Sequence, residues 1–220
     1  MVGWCSRRYG VQTMVGKHLR VIVITLLLVA GTVAVRAEPY QIVGFGDSLM
    51  AGYGLPPGEG FTEKLQAALN AEGHDVIVAN AGVSGDTSSG GLSRLDWSVP
   101  DGTGLVLLEL GANDMLRGID PALTRANLDS MLTRLADRKI PVLLIGMRAA
   151  PNLGPDYQKA FDAIFPGLAA KFGVPLYPFF LEGVAADPSL LLDDGMHPNA
   201  AGIDRMVAAI TPQIAALLLR

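Results

Sequence analysis

Apolar residues fall along this chain in short continuous runs, separated by stretches in which they recur every three or four positions. The runs are Ile42–Phe45, Val76–Ala79, Leu105–Leu110, Pro141–Met147 and Pro175–Phe179. Each predicts a strand buried on both faces. Between them, the stretch from Phe61 to Glu72 carries Phe61, Leu65, Ala68 and Leu69 at helical spacing and stops at Gly73. The stretch from Pro121 to Arg138 opens on proline and closes on basic residues, as a helix does. Two more helices are predicted, from Asp156 to Phe172 and from about Ala200 to Leu219. Strands that alternate with helices predict an α/β fold, a doubly wound parallel sheet in one domain. The chain shows no repeat, low-complexity tract or interdomain linker.

Such sheets carry their sites at the carboxyl ends of the strands. Three polar clusters fall there. Ser48 stands in the glycine-rich Gly44–Gly54 stretch, a loop runs from Gly82 to Gly85, and Asn113 follows the third strand. Ser48 at a strand-to-helix turn suits a nucleophile, although the G-x-S-x-G elbow is absent. The alternative is that it only caps the next helix.

Composition changes the picture at the amino terminus. Residues 1–37 hold Arg7, Arg8, Lys17, Arg20 and Arg36, no acid, and an apolar run over Val21–Val35 before Val35-Arg36-Ala37. This is the pattern of a secretory signal cut after Ala37, with Met14 a second candidate start, and it predicts a periplasmic or secreted protein. The run is short for a membrane span, so no stable span is expected after cleavage. The remaining chain, residues 38–220, has twelve basic against 21 acidic residues, a net charge of −9. That argues against a nucleic-acid partner. The lone cysteine, Cys5, lies before the cut, so a thiol nucleophile and a cysteine metal site are excluded.

A serine nucleophile needs a base. Of the three histidines, His18 lies in the export segment and His74 follows a helix end on the far side of the sheet. His197 remains. Asp194 precedes it by three residues, with Gly195 between, and its carboxylate suits the imidazole Nδ1–H better than that of its rival Asp193. An oxyanion needs donors, for which the N–H groups of Ser48 and a loop glycine and the Asn113 amide are candidates. Asn113, Gly82 and Gly85 are otherwise ordinary turn residues.

Gly46-Asp47-Ser48-Leu49, the glycine of Ser84-Gly85-Asp86-Thr87, Gly111-Ala112-Asn113-Asp114 and Asp194-Gly195-Met196-His197-Pro198 stand in this order. Together they resemble the four blocks of the SGNH (GDSL) hydrolases, from about Gln41 to the last helix. Within that family the chain is most similar to exported bacterial arylesterases that also act as acyl-thioesterases and lysophospholipases. The resemblance implies a five-stranded, flavodoxin-like sheet. It makes Ser48 the nucleophile, with Asp194 and His197 completing the triad. Ser48, Gly85 (rather than Gly82) and Asn113 become the oxyanion hole. Ala112 stands where many relatives have glycine. The implied activity is hydrolysis of acyl esters, and of thioesters or lysophospholipids, by a monomer with no cofactor and no metal. Rival readings are a carbohydrate O-deacetylase, a non-catalytic flavodoxin-like binding module and a metal-dependent hydrolase. With one tryptophan, Trp97, after the cut, an aromatic sugar platform is not evident. Met115, Leu116 and Ile119 are expected to line an acyl pocket with the loop from Ala149 to Gly154, flexing at Gly118. The alternative is that these three are core.

Overall fold

The computed structural model describes residues 1–4 and 38–219. The predicted export segment therefore lies outside the described residues, apart from its first four, which form no helix or strand. The chain divides into Met1–Glu38 and Pro39–Arg220, and every element below belongs to the second unit.

Strands β1 (Tyr40–Gly46), β2 (Val76–Gly82), β3 (Leu105–Glu109), β4 (Val142–Ile145) and β5 (Leu176–Tyr177) form one parallel sheet in the order β2-β1-β3-β4-β5. Val43 lies between Ala79 and Val106 in this register. Phe45, Leu107, Leu108, Leu143 and Leu144 are fully buried, as the unbroken apolar runs require when both faces are covered.

The helices are α1 (Ser48–Ala51), α2 (Phe61–Ala71), α3 (Ser88–Ser98), α4 (Ala112–Leu116), α5 (Pro121–Asp137), α6 (Pro155–Asp162), α7 (Ile164–Phe172) and α8 (Ala200–Leu218). Alternation along β1 shows how they cover the sheet. Gly44 meets Met50 and Thr62 of α1 and α2, whereas the next residue, Phe45, meets Gly91 and Arg94 of α3. Lys64 and Asp204, 2.9 Å apart, join α2 to α8. α8 is long and apolar enough to cross a membrane. In this unit, however, it buries Ile203, Met206, Val207, Ile210 and Ile214 in the core.

Two features depart from the sequence pattern. The helix predicted from Asp156 to Phe172 is two helices that meet at Ala163. Pro166 explains the break: it has no N–H for the Asp162 carbonyl, so a new helix begins just before it. α3 was not predicted, because two glycines and four serines weaken both its propensity and its periodicity. Tertiary packing needs those glycines. A Cβ on Gly91 would lie 2.3 Å from Leu110 Cδ1, and one on Gly90 would lie 2.4 Å from Asp86 Oδ1.

The same constraint acts at Gly82, where β2 ends against α1. A Cβ there would come within 2.3 Å of the Ala51 nitrogen and 2.7 Å of its Cα. Backbone cannot yield as a side-chain tip can. Gly82→Ala should therefore lower stability by roughly 1–3 kcal/mol, measured by urea denaturation. A variant with wild-type stability would mean that α1 moves freely against the sheet.

Candidate active site

At the end of β1 the side chain of Asp47 caps α1 by accepting the Leu49 N–H at 3.0 Å. Ser48 is thus the first residue of the helix and not its cap. Its N–H has no acceptor within the helix. Gly52, in the left-handed conformation at φ 78°, ends the helix after one turn.

His197 Nε2 lies 2.8 Å from Ser48 Oγ, and its Nδ1 lies 2.6 Å from Asp194 Oδ2. The other Asp194 oxygen accepts the backbone N–H groups of His197 and Met196 at 3.0 and 2.9 Å. These bonds, the His197 N–H foremost, hold the Asp194 carboxyl down to about 2. It is therefore charged at any pH above that value. Gly195, at φ 68°, makes the turn that allows this. The Tyr53 ring lies 4.5 Å from the His197 ring, tilted by 39°. His74 is at the far end of α2, where its N–H bonds to the Leu69 carbonyl, and His18 lies outside the described residues.

Asn113, on α4, donates from Nδ2 to Asp47 Oδ2 at 3.1 Å, which leaves its second amide hydrogen. α4 is anchored through buried Asp114, which accepts from the Ser88 N–H at 2.7 Å and the Thr124 hydroxyl at 3.1 Å. Of the two candidate loop glycines, Gly85 lines the cavity beside Ser48, whereas Gly82 is packed on α1. Gly85 has φ 84°, and its carbonyl accepts from Arg117 Nη2 at 2.7 Å.

Ser48, His197, Asn113 and Gly85 open onto one cavity of about 560 Å³. Its apolar walls include Met115, Leu116, Met147, Phe179, Leu181 and Leu191, with Ala149, Ala150 and Pro151 from the loop after β4. Of the three residues expected at a pocket, Met115 and Leu116 line this cavity. Met115 is buried and Leu116 is 58% exposed. Ile119 is not among the lining residues; it is half-buried, and its carbonyl accepts from the Tyr157 hydroxyl at 2.8 Å. The segment around Gly118 forms the hydrogen-bonded end of α4. There Gly118 N–H bonds to Met115 O and Ile119 N–H to Asp114 O. The described residues contain no group of three or more His, Cys, Asp or Glu side chains able to hold a metal ion.

A model of the GDSL-like Lipase/Acylhydrolase family matches residues 45–205. The chain belongs to this family. It is 39% identical over 198 residues to Esterase TesA of Pseudomonas aeruginosa, across 87% of this chain and 98% of that protein. Over 155 residues it is 41% identical to Thioesterase 1/protease 1/lysophospholipase L1 of Escherichia coli K12, across 70% of this chain and 73% of that one. Among solved structures, AlinE4, described as an SGNH-hydrolase family esterase, is 49% identical with a TM-score of 0.70, across 83% of this chain and 98% of that one.

Three side chains at this GDSL-family site escaped the sequence reading. Tyr53 gave no signal beyond being an aromatic in a glycine-rich loop. Arg94 sits inside a helix that was not predicted. It donates to Asp86 at 2.6 Å, Ala81 O at 2.7 Å and Gly46 O at 2.8 Å, and lies over the Phe45 ring. Glu109 had a signal that went unused, an acid inside the apolar run Leu105–Leu110.

Burial raises the Asp47 carboxyl to about 6, against the hydrogen bonds from Leu49 and Asn113 that favour its charge. The folded chain therefore takes up this proton before the unfolded chain does. As pH rises from about 4 to 6 the group costs stability, up to about 3 kcal/mol in all. Asp47→Asn should lack that cost: relative to wild type, its urea midpoint should be more favourable at pH 8 than at pH 4. It should also turn over ester more slowly than wild type, yet faster than Asp194→Asn. An unchanged stability difference between the two pH values would refute the buried-charge account.

Proposed function

We propose that this chain is a serine esterase that cleaves acyl esters through a covalent acyl-enzyme on Ser48. The observation that carries the reading is the 2.8 Å contact of Ser48 Oγ with His197 Nε2, backed by Asp194 at 2.6 Å, beside an apolar cavity. His197 takes the Ser48 proton as Oγ attacks the acyl carbonyl, and Asp194 stabilises the imidazolium. The N–H groups of Ser48 and Gly85 and the free amide hydrogen of Asn113 hold the oxyanion. His197 then protonates the leaving alcohol or thiol, and water repeats the sequence on the acyl-enzyme.

The apolar lining favours an acyl chain over the acetyl group of a carbohydrate O-deacetylase, since about 560 Å³ is far more room than acetyl fills. Trp97, 75% exposed on α3, is not among the cavity residues. Thioesters and lysophospholipids extend the proposal, through the activities named for the Escherichia coli relative. We further propose export through residues 1–37 and action as a monomer. Cleavage after Ala37 leaves the unit Pro39–Arg220 whole.

Ser48→Ala should fold normally and lose nearly all esterase activity. The wild type should take up one fluorophosphonate per chain, on Ser48. Labelling of another serine would overturn the assignment, and no labelling at all would leave the binding-module reading standing.

Chain-length preference tests the pocket. With p-nitrophenyl esters, kcat/KM should rise from acetyl to medium chains, each buried methylene contributing up to about 0.8 kcal/mol. Leu116→Asn should flatten that rise and spare the acetyl ester, whereas Ile119→Asn should lower the melting temperature without changing the slope. Equal losses on all esters in Leu116→Asn would move the acyl pocket elsewhere.

A further inference from the structure

One buried acid has no part in the reaction as drawn. Glu109 ends β3 and is 1% exposed. Its Oε2 accepts the Asp47 N–H at 3.2 Å, and its Oε1 is buried without a hydrogen-bond partner. The carboxyl is wedged against Gly46: a Cβ on that glycine would lie 2.4 Å from Glu109 Oε2. Gly46 is thus the residue that admits it. Asp47 is itself fully buried, so two carboxyl groups sit together beneath the nucleophile turn.

The charged neighbours do not neutralise both. Arg94, from α3, is committed to Asp86 and to the Gly46 and Ala81 carbonyls. Asp86 adds a third acid near the pair, and His197 approaches from the cavity side, bound to Asp194. Among the described residues, the Asp47 N–H is the only donor to Glu109 that the hydrogen bonds include. A second ionised carboxylate there, with one oxygen lacking any donor, would cost far more than an unpaired neutral hydroxyl. Burial first, and then the Asp47 charge, push Glu109 well above the ordinary carboxylate range. Asp47 keeps two donors that favour its charge.

We propose that Glu109 is a positioning residue for ester hydrolysis: as a neutral acid beneath Gly46, it sets the Asp47 carboxylate and, through it, the Asn113 amide. It touches neither substrate nor reacting atoms. An ionised Glu109 would repel Asp47, and an apolar residue would leave the Asp47 N–H without an acceptor. The inference rests on the roles proposed for Ser48 and Asn113.

The infrared spectrum at pH 8 and the kinetics of two variants test it. The wild type should show the C=O stretch of a protonated carboxyl group, lost in Glu109→Gln and retained in Ser48→Ala. Glu109→Leu should lower kcat by roughly tenfold or more with little change in KM. Glu109→Gln, which keeps the acceptor oxygen without an ionisable proton, should restore kcat to within about threefold of wild type. A wild type without the band, a band that survives Glu109→Gln, or a Gln variant as slow as the Leu variant would each overturn the proposal. If Glu109→Leu does not fold, the band and the Gln variant still decide. Because the band is read without turnover, failure here is separate from failure of the nucleophile assignment. That failure would appear as an active Ser48→Ala with the band intact.

Discussion

A single buried carboxylate couples the two halves of the site. Asp47 accepts the Leu49 N–H with one oxygen and the Asn113 amide with the other. It thereby ties the helix that starts at Ser48 to the helix that carries Asn113, across the β1–β3 pair of strands. A charge survives in a protein interior only when donors surround it. Here the donors are groups that the proposed reaction needs held still. The cost appears in the raised Asp47 carboxyl, a local loss of stability kept where it orients chemistry.

A buried cation does corresponding work on the β2 side. A carbonyl oxygen at a sheet end has two lone pairs, and that of Gly46, which already accepts the Val83 N–H at 3.0 Å, has one left for a side chain. Arg94 supplies donors to the carbonyls of Gly46 and Ala81 and to Asp86, next to Gly85, while its guanidinium lies 4.1 Å above the Phe45 ring. Lysine offers one point of donation and could not reach these acceptors from a single plane. Arg94 therefore sets the turn before Ser48 and the loop of the proposed oxyanion donor in one frame.

The proposed base and its acid are held differently. Asp194 and His197 lie on a partly exposed loop, which backbone bonds pin rather than core packing. Leu191 bridges to Pro198, and the Asn199 side chain reaches back to the Ser189 and Leu191 carbonyls. The imidazole gains an aromatic neighbour in Tyr53 and a low-lying carboxylate that stays charged. A rigid floor of strand ends and a bonded surface loop thus meet at one hydroxyl, beside an apolar cavity.

Strand number, the alternation with helices and the four polar blocks were all legible along the chain, because each is a local pattern. Period and punctuation place Ser48, the loop from Gly82 to Gly85, Asn113 and His197 at one sheet edge, and the family resemblance singles out Gly85 within that loop. Three things were decided only by folding. α3 forms against its own propensity, since Gly90 and Gly91 are there to let a helix approach Asp86 and Leu110. Ile119 lies outside the cavity, because hydrogen bonds that close α4 turn the chain away after Leu116. Asp47 and Glu109 became a buried pair because β1 and β3 lie side by side in parallel register, bringing together residues 62 positions apart. Hydrophobic period reports which face a residue takes within its own element. It carries no information about which distant side chain shares that face, and that is where the charge balance of this site is set.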